Sequence, residues 1–290
     1  MILIADSGSS KTDWRLLGPD GSVVQAKTEG FNPYFQDADM IYEELEKKLV
    51  PQLSSTAIAD ISEIYYYGAG CSSDTTRNIV RTAVNKAFPG AQVDANHDLL
   101  AAARALCGHE PGIGCILGTG VNSCLYDGKE IVTGRPSLGF WLGDEGSGGY
   151  MGKTLIQQYF HEDMPEELRQ KFEKRYKPVL GTVLENAYKK PFPNSYFASF
   201  SKFLFDNISH PYAFRLVYDG FGVFFDRYVL KYENAQSYKV HFTGSVAFYY
   251  NTVLRKAAQD KGLILGHIME SPIAGLTLYH QQKNGWQGNV

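Results

Sequence analysis

Apolar and polar positions along this chain repeat one arrangement twice. Residues 2–5, Ile-Leu-Ile-Ala, form an apolar run that ends at Asp6, and a loop of small and polar residues follows, Ser7-Gly8-Ser9-Ser10-Lys11-Thr12. An alternating strand from Trp14 to Leu17, an Asp20-Gly21 turn and the apolar pair Val23-Val24 complete the unit. The second half opens in the same way: Cys115-Ile116-Leu117, the loop Gly118-Thr119-Gly120-Val121-Asn122, a strand over Ser123–Tyr126, the Asp127-Gly128 turn and Ile131-Val132. Asp-Gly marks a hairpin because both residues tolerate positive φ. Glycine-rich loops between strands let backbone N–H groups surround an anion. Two such loops facing each other would grip the phosphates of a nucleotide from both sides, without a P-loop.

The pattern after each hairpin predicts strands alternating with helices. In the first half a helix is expected over about 38–49, a strand over 61–67, a helix over 75–88 with Ser73 or Asp74 as its cap, a strand over 91–95 and a helix over 98–106. Gly108, Pro111, Gly112 and Gly114 then break the chain, which places a domain boundary at 112/113. The second half departs by insertion. Helices are expected over 150–160, 165–175, 178–188, 196–207 and 212–232, before a strand over 239–243, a helix over 246–259, a strand over 264–267 and a closing helix over 272–280. Phe197, Phe200, Phe203 and Leu204, and again Phe221, Phe224, Phe225 and Tyr228, sit at helical spacing and read as packed core. Hairpin strands followed by alternating strands and helices indicate an α/β fold.

Composition narrows the classes. The chain has 290 residues, 44% of them apolar and 20% charged, which is enough for two domains with real cores. A net charge of −3 leaves no basic footprint for nucleic acid. No apolar run reaches the length of about eighteen residues that a membrane helix needs. The N-terminus lacks a positive flank, so a cytoplasmic protein is expected. Cys71, Cys107, Cys115 and Cys124 form no C-x-x-C pair and read as buried thiols.

Several short stretches could carry chemistry. Asp6 ends a buried strand at a loop, where a carboxylate could hold magnesium beside phosphates; Lys11 and the hydroxyls of Ser9, Ser10 and Thr12 add donors. An acidic residue in an ordinary turn is the plainer alternative. Asp98 opens a helix straight after a strand and reads locally as a helix cap, with a general base as the functional alternative; His97 beside it reads as a surface or capping residue. In Gly143-Asp144-Glu145-Gly146-Ser147 two adjacent acids repel each other between glycines, an arrangement suited to sugar hydroxyls, or else to an acidic helix start. Thr243-Gly244-Ser245 joins a strand to a helix, where glycine admits a flat ring or a phosphate. Gly152-Lys153-Thr154 imitates the end of a P-loop, but Ser147 occupies the required glycine position.

In order and spacing these pieces resemble the sugar-kinase/heat-shock-ATPase/actin superfamily, and within it the BadF/BadG/BcrA/BcrD ATPase family in its N-acetylglucosamine kinase branch. The resemblance covers nearly the whole chain. It is carried by Asp6 to Thr12, Gly30-Phe31-Asn32, Gly68-Ala69-Gly70, Asn96-His97-Asp98, Gly118 to Asn122, Gly143 to Ser147 and Thr243-Gly244-Ser245. It implies two ribonuclease-H-like (actin-like ATPase) domains around a central cleft, over 1–112 and 113–274, the second with the helical insertion. Residues 275–290 would form a closing segment, open to packing on the first domain. It further implies ATP, Mg²⁺ and transfer of the γ-phosphate to an amino sugar, N-acetylglucosamine first of all, giving its 6-phosphate. Asp98 matches the general base and Asp6 the carboxylate that organises magnesium, directly or through water. Gly8, Ser9, Ser10, Lys11 and Thr12 match the first phosphate loop, Gly118, Thr119 and Gly120 the second, and Thr243, Gly244 and Ser245 the adenosine loop. Asn32, Asn122, Gly139, Asp144 and Glu145 match the sugar contacts. The chain departs from the pattern at Ser9-Ser10, where consecutive glycines are common, at Ser245, and at Ser137-Leu138-Gly139, which replaces glycine-tryptophan-glycine of the animal enzymes. The alternatives within this resemblance are an N-acetylmuramic acid kinase, an ATPase that activates a dehydratase through an iron–sulfur cluster, and a non-catalytic sugar sensor. A homodimer is compatible with it; nucleic acid and membrane partners are not expected.

Overall fold

The computed structural model describes residues 1–8, 11–54 and 58–283. One unit takes Met1–Glu110, Gly128–Glu130 and the chain from Ser271 onward; the other takes Pro111–Asp127 and Ile131–Glu270. In the first unit β1 (Ile2–Ser7) lies at the centre of a five-stranded sheet. It runs antiparallel to β2 (Lys11–Leu17) and parallel to β4 (Glu63–Gly68), with β3 (Val23–Glu29) and β5 (Gln92–His97) outside them. The run Ile2–Ala5 suits a strand covered on both faces. Leu3 and Ala5 turn to one core with Trp14, Tyr66 and Val80; Ile2 and Ile4 turn to another with Tyr65, Ala101 and Leu276. Helices α1 (Ala38–Glu44) and α2 (Asp74–Ala87) cover the first face. Helix α3 (Asp98–Cys107) covers the second, together with the last helix of the chain. Each buried leucine, isoleucine or valine among these stabilises the fold by about 1.5–3 kcal/mol.

The second unit repeats the plan. Here β6 (Gly112–Leu117) is central, antiparallel to β7 (Val121–Tyr126) and parallel to β9 (Lys239–Thr243), with β8 (Ile131–Gly134) and β10 (Ile264–Met269) outside. Both sheets therefore have the strand order third-second-first-fourth-fifth. Between β8 and β9 lie α4 (Gly139–Leu142), α5 (Gly148–Phe160), α6 (Glu166–Tyr176), α7 (Leu180–Tyr188), α8 (Pro193–Ala198), α9 (Ser201–Asp206) and α10 (Pro211–Arg227). Helices α11 (Ser245–Tyr249) and α12 (Asn251–Asp260) connect β9 to β10. After β10 the chain crosses to the first unit, where α13 (Ile273–Lys283) packs on α3. The α/β fold expected from the pattern, and the two ribonuclease-H-like units with a helical insertion in the second that the resemblance implied, are the fold observed.

Three expected helices are broken, one where serine hydroxyls turn back onto their own segment and two where a tyrosine hydroxyl makes a tertiary contact. The segment 196–207 divides between α8 and α9, where the Ser199 and Ser201 hydroxyls donate to the Tyr196 and Ala198 carbonyls. The segment 246–259 divides at Tyr250, whose hydroxyl donates to the Ser201 carbonyl, while Asn251 caps the carbonyl of Phe248. The segment 212–232 ends as α-helix at Arg227, and Tyr228 places its hydroxyl on Glu145 before a short 3-10 turn over Val229–Lys231. The expected caps hold: Ser73 accepts from Thr76 N in a full capping box.

Candidate functional site

In the first unit the chemistry gathers at the carboxyl ends of the parallel strands, the usual place for ligands in open α/β sheets. Gly8 N donates to Lys11 O at 2.9 Å and closes the β1–β2 turn. Asp6 stands directly across the ladder from Asp13, and two like charges in that position repel. Asp13 is buried, and Lys11 at 3.0 Å and Lys27 at 3.7 Å neutralise it. For Asp6 the structure supplies the hydroxyl of Ser271, 3.3 Å from Oδ2. Burial first, and the Asp13 carboxylate next, push the Asp6 carboxyl up to about 7 against that hydrogen bond. A carboxylate so placed favours a cation. A magnesium ion bound by one carboxylate, water and phosphate oxygens fits this arrangement. Among the described residues no group of three or more His, Cys, Asp or Glu side chains could hold a metal by itself.

The expectation that the Thr12 hydroxyl faces a phosphate is corrected. Thr12 is buried, paired with Ser7 Oγ at 2.7 Å, and donates to Glu29 O at 3.0 Å, so it ties β1, β2 and β3 together. The side chain of Lys11 is exposed. Ser9 and Ser10 lie outside the described residues.

The plain reading of Asp98 as a cap is also corrected. His97 is the N-cap: its backbone is extended and its Nδ1 accepts from Leu100 N at 3.2 Å. Asp98 is therefore the first helical residue. Burial raises its carboxyl, and only the backbone N–H groups of Leu99 and Asp98 itself pull it down. Burial, with Arg77 and Arg104, keeps His97 below the ordinary histidine range, consistent with an accepting Nδ1. Asp98 is close enough to raise Asp6. Asn32 sits in a turn where its Oδ1 accepts from Tyr34 N, its N–H donates to Gln36 Oε1, and Gly70 approaches too closely for a Cβ.

In the second unit Gly118, Thr119 and Gly120 form a tight turn, with Gly118 N on Gly120 O at 3.0 Å. The carbonyls of Gly118 and Thr119 accept from Gly148 N and Gly149 N, which docks this loop on the start of α5. Gly120 lies against Asp144, where a Cβ would come within 2.9 Å of Oδ2. Asp144 adopts φ 59° and accepts from Val121 N at 3.3 Å and Ser137 Oγ at 3.4 Å. Burial raises its carboxyl, opposed by those two donors and by Lys153. Glu145 is buried, with Arg227 on Oε1 and the Tyr228 hydroxyl on Oε2 at 2.8 Å. Lys153 donates to Phe140 O at 2.9 Å and senses both acids. Asn122 lies on β7 with its Oδ1 on Ser123 N, and Gly139 opens α4 at φ 71°.

Gly244 has φ 113°, and a Cβ there would come within 2.3 Å of Leu117 O. The loops after β6 and β9 thus lie side by side. Thr243 before it carries a buried hydroxyl with no hydrogen-bond partner. Beside Ser245 opens a cavity of about 400 Å³, walled by Ser201, Lys202, Phe205, Tyr249 and Tyr250. Asp13, His97, Ser271, Lys153, Arg227 and Tyr228 were not singled out for the site from the sequence. An acidic residue inside a strand was the one local signal, at Asp13. The four cysteines are buried, and none forms a disulfide among the described residues.

No family model and no curated protein matches the chain. Among solved structures, an inferred N-acetylglucosamine kinase from Porphyromonas gingivalis is 40% identical, with a TM-score of 0.92 over 98% of this chain and 100% of that one. A second inferred N-acetylglucosamine kinase, from Chromobacterium violaceum, shares the fold at 16% identity and a TM-score of 0.73, over 96% of this chain and 98% of that one. The ethanolamine utilization protein EutJ of Carboxydothermus hydrogenoformans shares it at 15% identity and a TM-score of 0.51, over 96% and 87%. The chain belongs to the family of the Porphyromonas gingivalis protein, within the sugar-kinase/actin-like superfamily.

Proposed function

We propose that this chain is an ATP- and magnesium-dependent kinase of the BadF/BadG type that phosphorylates a neutral amino sugar, N-acetylglucosamine, on its 6-hydroxyl. The γ-phosphoryl group passes to the sugar oxygen, its bond to ADP breaks, and the hydroxyl proton goes to Asp98. The observation that carries this reading is the division of labour at α3. His97 caps the helix, so the Asp98 carboxyl is not needed there, and burial makes it more basic than an ordinary aspartate. Its position near Asp6 puts a base and a cation-seeking carboxylate in one half-site.

Magnesium, when bound, neutralises phosphate charge and orients the leaving group. Asp6 would hold it. In this reading the phosphates meet the β6–β7 turn at Thr119 and Gly120, since Gly8 N and Gly118 N are held by Lys11 O and Gly120 O. The cavity beside Ser245 suits a flat base against Phe205, Tyr249 and Tyr250. Asn32, Asn122 and Asp144 would bind the sugar. The charges around Asp144 support a neutral acceptor: Asp144 and Glu145 are matched by Lys153 and Arg227, and both cations are engaged, on the Phe140 carbonyl and on Glu145. A substrate carboxylate such as that of N-acetylmuramic acid would meet two acids there, with Lys153 and Arg227 already engaged.

The test is ADP release with MgATP across N-acetylglucosamine, N-acetylmannosamine, glucosamine, N-acetylmuramic acid and glucose. N-acetylglucosamine should give the highest kcat/KM, and EDTA should abolish turnover. Sugar-independent ADP release, or a preference for N-acetylmuramic acid, would overturn the reading.

A further inference from the structure

Asp144 adopts left-handed backbone geometry, φ 59°, which a residue with a side chain keeps only where its surroundings hold it. The hold comes from the end of α10. The Tyr228 hydroxyl, just past that helix, donates to Glu145 Oε2 at 2.8 Å, and the Asp144 N–H faces the same hydroxyl oxygen. Gly143 lies so close that a Cβ on it would stand 3.2 Å from this oxygen. Arg227, the last residue of α10, pairs with Glu145 Oε1. Gly146, at φ 83°, presses on α10, where a Cβ would come within 2.9 Å of Phe224 Cβ. Phe224 in turn stacks on the Tyr228 ring, with centroids 5.2 Å apart. Ser147 N donates to Asp144 O at 3.0 Å and closes the turn. The Asp144 side chain is thereby aimed at the β6–β7 loop: Val121 N and Ser137 Oγ both donate to Oδ1, and Oδ2 lies over Gly120.

We propose that Tyr228 and Glu145 are positioning residues: with Arg227 they form a clamp that fixes the Asp144 turn, and Glu145 itself makes no contact with the sugar. The inference rests on the reading of Asp144 as a sugar ligand. Two neighbouring acids, both buried, thus have different work. Glu145 commits one oxygen to Arg227 and the other to Tyr228, so its charge is spent on α10. Asp144 carries the strained backbone and faces the loop. A carboxylate already held in its bound position gives up less freedom when it accepts from a sugar hydroxyl or amide.

Steady-state ADP release by the full chain, with MgATP and N-acetylglucosamine, tests the clamp. Tyr228→Phe removes the shared hydroxyl and should raise the KM for sugar by about 10-fold, with kcat and the KM for ATP within about 3-fold of wild type. Glu145→Gln keeps the shape and an acceptor for Tyr228 and should stay within about 3-fold, whereas Glu145→Ala should match Tyr228→Phe. Arg227→Met, at a side chain 62% exposed, opens the clamp with little risk to the fold and should raise the KM for sugar by about 3-fold. The decisive comparison pairs Tyr228→Phe with Asp144→Gly, because glycine adopts φ 59° freely. If Tyr228 acts through the Asp144 carboxylate, adding Tyr228→Phe to Asp144→Gly should change kcat/KM for sugar by less than about 2-fold. Effects that multiply in the double variant would overturn the clamp. So would Glu145→Gln losing as much as Glu145→Ala, or folded Tyr228→Phe with a wild-type KM for sugar. A wild-type chain without sugar-dependent ADP release would remove the kinase reading, and the clamp with it, before any variant is compared.

Discussion

Asp6→Asn should make the metal-free protein more stable, and the gain should depend on pH. The substitution keeps the shape and can keep the Ser271 contact, but it removes a charge held across the ladder from Asp13 and beside Ser271. In the folded chain Asp6 titrates at about 7, against its ordinary value of 3.8. Below the lower value both folded and unfolded states carry the proton, and Asp6 costs nothing. Between the two values the unfolded chain ionises first, so the folded state loses ground as pH rises. Above the upper value the loss is complete. A shift of roughly three units sets a ceiling of about 4 kcal/mol, and the partial exposure of Asp6 to water brings the expected loss to about 2 kcal/mol. In EDTA at about pH 8 the variant should therefore melt roughly 4–8 °C above wild type, and near pH 4 the two should coincide. Trp14, fully buried between β2 and β3, reports the first unit by fluorescence. MgATP should raise the wild type and leave the inactive variant behind, because ligand stabilises only the state that binds it. Equal melting points at pH 8, or the same gap at both pH values, would refute the electrostatic account of this site.

Other substitutions test the remaining parts. Asp98→Asn should lower kcat by about 10²-fold or more with little change in the KM for sugar, measured by coupled ADP release. Gly244→Ala forces a side chain onto φ 113° and within 2.3 Å of the Leu117 carbonyl; it should cost about 2–4 kcal/mol in urea melts and raise the KM for ATP. Gly8→Ala makes the opposite case, because its nearest neighbour would be Lys11 O at 3.7 Å; stability should stay within about 1 kcal/mol of wild type. Tyr228→Phe leaves a buried Glu145 oxygen without its donor and should destabilise the second unit by about 1–3 kcal/mol, read from the same melts.

The fold was legible wherever the deciding interactions are local. Period-two apolar runs and Asp-Gly turns located both hairpins, and β9 falls over Lys239–Thr243 as the pattern predicts. The helix break at Tyr250 was not legible, because its hydroxyl meets a carbonyl of another helix, that of Ser201. The same division holds in the candidate site. The residue types and loop positions of Asp6, Asp98 and Asp144 are written in the chain. Their partners are not: Ser271 is 265 residues from Asp6, and Arg227 is 82 from Glu145. Thr12 misled for a related reason. A threonine in a loop-edge position looks like a donor to a ligand, and only the pairing with Ser7 and Glu29 turns it into a brace.

The order of the chain adds a constraint that no single residue reveals. The first unit opens the sequence, yet its half-site is completed by residues that come after all of β6 to β10. Ser271 reaches Asp6 within the first few residues past the crossing. Helix α13 then lies against α3, the helix that Asp98 begins, so tightly that a Cβ on Gly275 would stand 2.4 Å from the Ala105 carbonyl. Further along α13, His280 pairs with the Tyr67 hydroxyl at 2.9 Å, and Arg104 of α3 donates to that same hydroxyl at 2.8 Å. One strand end, one helix and the last helix are thus fastened through a single buried oxygen. These contacts span more than two hundred residues, and such closures come late in folding because the intervening chain must be ordered first. The consequence is mechanistic as well as kinetic. Asp98 and Asp6 acquire their full surroundings in the first unit only when the second unit has been made and the chain has returned.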